Sequence, residues 1–314
     1  MKKLILTFLI FSLSYSQIVW GPEKRITPDS IGPMHPRAVA WKDTIHVVFY
    51  RSGATDDVFY LRSVDGGETW EEPKNLTIND PDDATLCWIT CWGNKVHVVY
   101  QEGYGDSIMY VRSLDGGNNW ENPRRLMKPG GHNKITCRHD TLYLIGVTGW
   151  YPDKYWAMMK SYDGGETWTQ PQFIDTLGCF EIEISRCYLH IPVGLLLAEG
   201  EIGYFRSPDL GNTWEGPFLI SPLDDWPSQL PCMAVSDTNV YIAWMESMGC
   251  WFGSWYNVNI RKSNDNGNNF SDREVLSNLC RSHESDIYAK DSIVVLVYTD
   301  ERDNPGQSDF ELYW

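Results

Sequence analysis

Ser63-Val64-Asp65-Gly66-Gly67-Glu68-Thr69-Trp70 decides the reading of this chain. The octet returns as Ser113-Leu114-Asp115-Gly116-Gly117-Asn118-Asn119-Trp120 and as Ser161-Tyr162-Asp163-Gly164-Gly165-Glu166-Thr167-Trp168. Ser207-Pro208-Asp209-Leu210-Gly211-Asn212-Thr213-Trp214 is a fourth copy, and Ser263-Asn264-Asp265-Asn266-Gly267-Asn268-Asn269-Phe270 a degenerate fifth. The five Asp residues follow one another at intervals of 50, 48, 46 and 56 residues. A period in this range marks a repeat architecture. The chemistry of the octet suits a tight connection between two strands. Glycine supplies positive φ without steric cost, and the Ser hydroxyl and Asp carboxylate can cap amides of their own loop.

Each octet follows a short alternating segment, such as Val58–Arg62 or Ile108–Arg112. It precedes a pattern of Trp, then Pro, then Leu or Ile, as in Trp70, Pro73 and Leu76. Proline cannot donate to a ladder, so this trailing strand belongs at an edge. Two further apolar runs precede each leading strand, for example Arg37–Trp41 with Ile45–Tyr50. The unit is therefore four short antiparallel strands. The chain ends bear on the count. Val19–Ile26 carries the trailing pattern with no unit before it, and Ser282–Ala289, Ser292–Tyr298 and Asp309–Trp314 supply three strands without an octet. Together they complete a sixth unit. The expectation is an all-β, six-bladed propeller over residues 17–314, closed by pairing of the two chain ends. The many Trp residues suit packing between blades.

The octets resemble the Asp-box (BNR) repeat of the sialidase-like superfamily. That resemblance implies that the octets lie opposite any active site. Asp65, Asp115, Asp163, Asp209 and Asp265 are then structural.

Composition bounds the function. The 314 residues carry a formal charge of −16. Residues 1–16 read as an export signal: Lys2 and Lys3, an apolar run Leu4–Leu13, then Ser14-Tyr15-Ser16. The run is too short to span a bilayer. The expected protein is secreted or periplasmic and, after cleavage, still more acidic. Such a surface makes a poor candidate for nucleic-acid binding, because phosphate binding needs a basic face. Eight cysteines permit disulfides in an exported chain. Cys87 and Cys91 share a strand face but lie about 13 Å apart at strand rise. No zinc spacing is present. Asp80–Asp83 and Asp300–Asp303 could hold calcium through oxygen ligands, although solvated loop acids explain them as well.

The resemblance can be tested residue by residue. Sialidases are similar in using an Arg triad for the sugar carboxylate, an Asp acid/base, and a Tyr nucleophile assisted by Glu. His35-Pro36-Arg37-Ala38-Val39 keeps Arg37 at the first triad position. The acid/base position falls on Asp56 or Asp57. From there the pattern fails. Tyr188–Gly194 holds no Arg at the second triad position, and Trp255 stands at the third. Glu284, in His283-Glu284-Ser285-Asp286-Ile287, replaces the Tyr nucleophile. The assisting Glu is Glu181 or Glu183, unless Gly178 stands in its place. Arg186 or Arg281 could enter the mouth by another route.

Losing two Arg forks removes most of what holds a carboxylated sugar. A mouth gathering Asp57, Asp83, Glu181 and Glu284 beside Trp88, Trp150, Trp251 and Trp255 suits a neutral or amino sugar, or a cation. The expected function is glycan binding at the central mouth without sialidase turnover. The alternatives are a glycoside hydrolase working through the mouth carboxylates and a propeller that only binds proteins.

Overall fold

The computed structural model describes residues 25–28, 32–53, 55–78, 82–103, 105–149, 155–175, 178–195, 200–247, 256–277, 282–290, 293–300 and 311–313. These fall into two compact units, one up to Asp175 and one from Gly178 on. Every described regular element is a β-strand, and all strand pairs are antiparallel.

The first unit holds three four-stranded sheets in simple meander order. They are β1 (Pro33–Trp41), β2 (Thr44–Arg51), β3 (Asp57–Ser63) and β4 (Lys74–Asn75); β5 (Ala84–Trp92), β6 (Lys95–Glu102), β7 (Ser107–Ser113) and β8 (Arg124–Met127); and β9 (Gly131–Arg138), β10 (Thr141–Thr148), β11 (Tyr155–Ser161) and β12 (Gln172–Asp175). The second unit begins with a five-stranded sheet. In it β13 (Gly178–Cys179) and β14 (Glu183–Ser185) share the edge of β15 (Tyr188–Leu195), followed by β16 (Glu201–Ser207) and β17 (Glu215–Leu219). Next come β18 (Ser228–Ser236), β19 (Asn239–Glu246), β20 (Asn257–Ser263) and β21 (Glu274–Val275). The last sheet has three strands, β22 (Ser282–Lys290), β23 (Ile293–Asp300) and β24 (Glu311–Tyr313).

These are antiparallel propeller blades. Five have at least four strands, and the sixth sheet has three among the described residues. The sequence expects residues 19–26 to provide its fourth strand. Of these only Arg25 and Ile26 are described, and neither lies in a strand. Strands at the second and third positions are buried on both faces, as in Ile45–Tyr50 and Val58–Ser63. The first blade packs on the second through β1, β2 and β3 against β5, and these buried strands read as near-continuous apolar runs. The trailing strands are short and exposed, which suits the edge position that their prolines imply.

All five octets close in one way. In the first, the Ser63 hydroxyl donates to Asp65 Oδ1 at 2.8 Å and accepts from the Gly67 amide at 2.8 Å. Asp65 then accepts the Thr69 amide at 2.9 Å. The same bonds recur around Asp115, Asp163, Asp209 and Asp265. These bonds stabilise the charged carboxylates and hold Asp65, Asp115, Asp209 and Asp265 down at about 2. Asp115→Ala leaves the Asn119 amide without its acceptor. It is expected to lower the thermal midpoint by a few degrees while leaving any ligand affinity intact. Loss of binding by a folded Asp115→Ala protein would give the octet a role in ligand recognition.

The octet aromatic serves the blade before it. Trp120 meets Tyr60 edge-on at 4.8 Å, Trp168 meets Tyr110 at 5.3 Å, and Phe270 meets Tyr204 at 5.3 Å. Each Tyr hydroxyl also touches a buried histidine: His46 at 2.6 Å, His97 at 2.7 Å and His190 at 2.5 Å. An arginine two residues later crosses to the next octet's backbone, from Arg62 to Gly116 O, from Arg112 to Gly164 O and from Arg206 to Asn266 O.

Candidate functional site

The innermost strands carry a repeated irregularity. In five sheets the register between inner and second strand slips by one residue near the start of the inner strand. It slips between Met34 and Arg37, Thr85 and Trp88, Gln229 and Cys232, and His283 and Ser285, and in the third sheet opposite Ile145 and Val147. Four of the slips hold a non-glycine residue at positive φ: His35 (45°), Leu86 (47°), His132 (49°) and Leu230 (47°). A leucine in this region is strained by roughly 1–2 kcal/mol. Bulges that re-aim side chains gather beside functional sites. In the fourth blade the inner strand is broken outright between β13 and β14.

The slip fixes which side chain each inner strand offers. Four residues before the strand end stand Arg37, Trp88 and Lys134 in the first unit, and Glu181, Cys232 and Asp286 in the second. In the first unit the three meet. The Arg37 guanidinium lies 4.3 Å from the Trp88 ring centroid, and Lys134 Nζ lies 4.2 Å from it. Arg37 otherwise donates one hydrogen bond, to Pro36 O at 3.3 Å.

In the second unit the same position holds two acids and a thiol. Glu181, in the break between β13 and β14, accepts the Met233 amide at 2.6 Å. Cys232 Sγ lies 3.5 Å from Ser285 Oγ. Burial pushes the Cys232 thiol well above its ordinary value, and the charges of Asp286 and Glu181 add to this. Glu183, on β14, is raised to about 7 by burial and then by Asp286. A carboxyl that titrates near neutrality can act as an acid or a base.

The other sequence-predicted residues are placed as follows. Asp57 accepts the Thr77 hydroxyl at 3.0 Å and lies 3.8 Å from Arg51. Thr77 in turn accepts the Val58 amide, a latch repeated by Ser221 with Ile202 and by Ser277 with Val258. Asp57 thus occupies a latch position that recurs in other blades. Asp56 accepts the Gly53 amide at 3.2 Å, and its own amide donates to Asp83 at 3.0 Å. Both acids are engaged in shaping the loop between β2 and β3. Glu284 lies at the register slip of β22. The Glu284 side chain, and all of Trp150, Trp251, Trp255 and Arg281, lie outside the described residues. Arg186 sits at the β14–β15 hairpin and pairs with Asp237. Among the described residues no three His, Cys, Asp or Glu side chains could hold a metal ion. Cys87, Cys91, Cys187 and Cys232 are thiols.

Comparison with solved structures places this architecture. An ulvan lyase bound to -[GlcA(1-4)Rha3S]- aligns at a TM-score of 0.66 and 12% identity, covering 94% of this chain and 84% of that one. A Hadza microbial sialidase aligns at 0.56 and 16%, covering 84% of this chain and 62% of the sialidase. A Trypanosoma rangeli sialidase aligns at 0.56 and 13%, covering 91% of this chain and 54% of that one. This chain shares its fold with these structures. The chain spans less than two thirds of the length of these two sialidases. No family model and no curated protein matches the sequence.

Sequence reasoning missed Lys134 and the His–Tyr–Arg contacts between blades. The second could have been found by aligning the repeats. His46, His97 and His190 precede Tyr60, Tyr110 and Tyr204 by 14, 13 and 14 residues. Lys134 gives no such signal, because a lysine next to an apolar strand segment is unremarkable in sequence.

Proposed function

We propose that this chain is an exported, six-bladed sialidase-like propeller over residues 17–314 that recognises a glycan at the starts of its inner strands and does not turn over sialosides. One observation carries the reading. Arg37 keeps the first position of the expected Arg set, and its guanidinium lies against Trp88, a ring that Lys134 also approaches, with no second arginine in the contact. The segment expected to supply the second Arg is β15, which carries His190, buried against Tyr204 and Ser185. The sialidase and lyase likeness supports a glycan ligand without naming its sugar.

A hydrolase reading has one specific support, the carboxyl of Glu183 raised to about 7 beside Asp286. Asp57 supports it less, because its carboxylate already serves the Thr77 latch.

Incubation of the mature protein with a fluorogenic sialoside separates the readings. The expected result is release indistinguishable from the uncatalysed rate. Loss of one oriented donor costs about 10²–10³ in rate, and here two arginines and the Tyr nucleophile are replaced. Robust release that disappears in both Arg37→Ala and Glu284→Ala restores the exo-sialidase assignment.

A further inference from the structure

We propose that Trp41, Trp92 and His139 form a carbohydrate site on the octet side of the first unit, a stacking platform for the apolar face of neutral sugar rings. It lies at the other end of the inner strands from Arg37 and Trp88 and is independent of the recognition proposed there.

Trp41 closes β1 and Trp92 closes β5, four residues beyond Arg37 and Trp88, or about 13 Å at strand rise. His139 follows the last residue of β9. The three rings form a row across three blades. Trp41 and Trp92 lie with ring centroids 4.8 Å apart and planes tilted by 49°, and Trp92 and His139 at 4.4 Å and 40°. The turns after these strands lie against the octets: the carbonyls of Asp43, Asn94 and Asp140 accept the amides of Gly66, Gly116 and Gly164. Each turn holds a residue at positive φ, Lys42 (54°), Gly93 (61°) and His139 (55°), the twist that tight hairpins favour. Lys95 pairs with Asp140 at 2.5 Å and ties the second turn to the third. The octets hold the turns and the turns hold the rings, so the platform is built before a ligand arrives.

The row is open. Trp41 and Trp92 are half-buried and His139 is exposed. The octet residues Trp70 and Trp120 donate their indole N–H to Gly67 O and Gly117 O, within their own loops. Among the described residues the indole N–H groups of Trp41 and Trp92 have no acceptor, and neither is a buried orphan. Both donors therefore meet solvent. A Cβ built on Gly93, next to Trp92, has no atom within 4 Å. Exposed Asp43 and Asn94 stand in the adjoining turns. Aromatic faces with a few polar groups at their rim match the two-sided chemistry of a sugar, whose C–H groups stack on indole while its hydroxyls bond to N–H groups and carboxylates. A cation fits less well. The rings touch along the row and leave no gap between opposed faces, and Asp140 is already paired.

The test uses the mature full-length protein and calorimetric titration with cellohexaose, xylohexaose and tetramethylammonium at low and high salt. At least one of the two sugars is expected to bind, with an affinity that salt leaves unchanged because no charge is neutralised. Trp41→Ala is expected to weaken that binding about tenfold, and Trp41→Tyr to keep most of it. His139→Asn is the second variant. Asparagine tolerates positive φ, and the change removes a ring from an exposed turn, so it tests the row even where Trp41→Ala does not fold. It should weaken binding by about threefold or more. Thermal melts establish that each variant is folded. If a sugar binds and folded Trp41→Ala and His139→Asn bind it as tightly as the wild type, this inference fails while glycan recognition at the strand starts stands. If neither sugar binds, the platform is not a carbohydrate site. Binding of tetramethylammonium alone would assign the rings to cations and overturn the inference as well.

Discussion

Gly117→Ala is expected to destabilise the protein by about 3 kcal/mol or more, an overpacking cost added to a left-handed backbone. Gly117 has a φ of +92°. A Cβ built on it would stand 1.9 Å from the Tyr60 hydroxyl and 2.5 Å from its ring. Tyr60 has little room to withdraw, being buried, bound to His46 and packed against Trp120. The neighbouring Gly116→Ala is the control. Its φ is also positive, at +71°, but the nearest atom to an added Cβ is Arg62 Nη1 at 3.9 Å. That variant should lose only about 1 kcal/mol, the backbone share alone. Urea denaturation of both decides the matter. Equal losses would mean that Tyr60 yields and that the contact between blades is soft.

Acid lability is the second large effect. His46 is lowered to about 4 by burial and then by Arg62, with Glu71 opposing. His97 is lowered to about 3 by burial, Arg112 and Lys95, against Asp140, and His190 to about 3 by burial and Arg206. In the unfolded chain each returns to about 6.5. The unfolded state therefore binds more protons between these values. Stability is fully present above pH 6.5 and is lost as pH falls toward 3–4. A shift of this size corresponds to about 3 kcal/mol for His46 alone. The octet carboxylates, held at about 2, add a further loss below pH 4 in the same direction. Unfolding free energies measured from pH 7.5 to 4.5 should fall steeply, and His97→Gln should remove part of the slope. A flat profile over this range would show that the histidines are not held neutral by burial.

What could be read from the sequence divides along a physical line. The octets are legible because their bonds are local: Ser63, Asp65, Gly67 and Thr69 satisfy one another within seven residues. Strand order follows from the repeat, since each short connection forces its neighbours together. The inner-strand slip is not legible. It is a relation between two strands, and nothing in His35-Pro36-Arg37 or Leu86-Cys87-Trp88 announces it. The divided inner strand of the fourth blade is hidden for the same reason. Glu181 reads as a strand residue, and the structure places it in the break, bonded to the Met233 amide. Trp88 reads as a sugar platform, but two cations from separate strands meet on it. The Asp57 carboxylate reads as an acid/base and is held by a threonine twenty residues on.

The contact between blades has a direction. In the three such contacts among the described residues, tyrosine and arginine come from the earlier blade, and glycine and the octet aromatic from the later one. One blade therefore carries a donor side and an acceptor side that differ. A gene segment encoding one whole blade, copied in tandem, arrives with both halves of the junction, and each new boundary is already complementary. A segment cut mid-blade does not. The residues at the junctions, Tyr60 with Gly117 and Tyr110 with Gly165, are sterically coupled, so a side chain added at either glycine requires a smaller residue in place of its tyrosine.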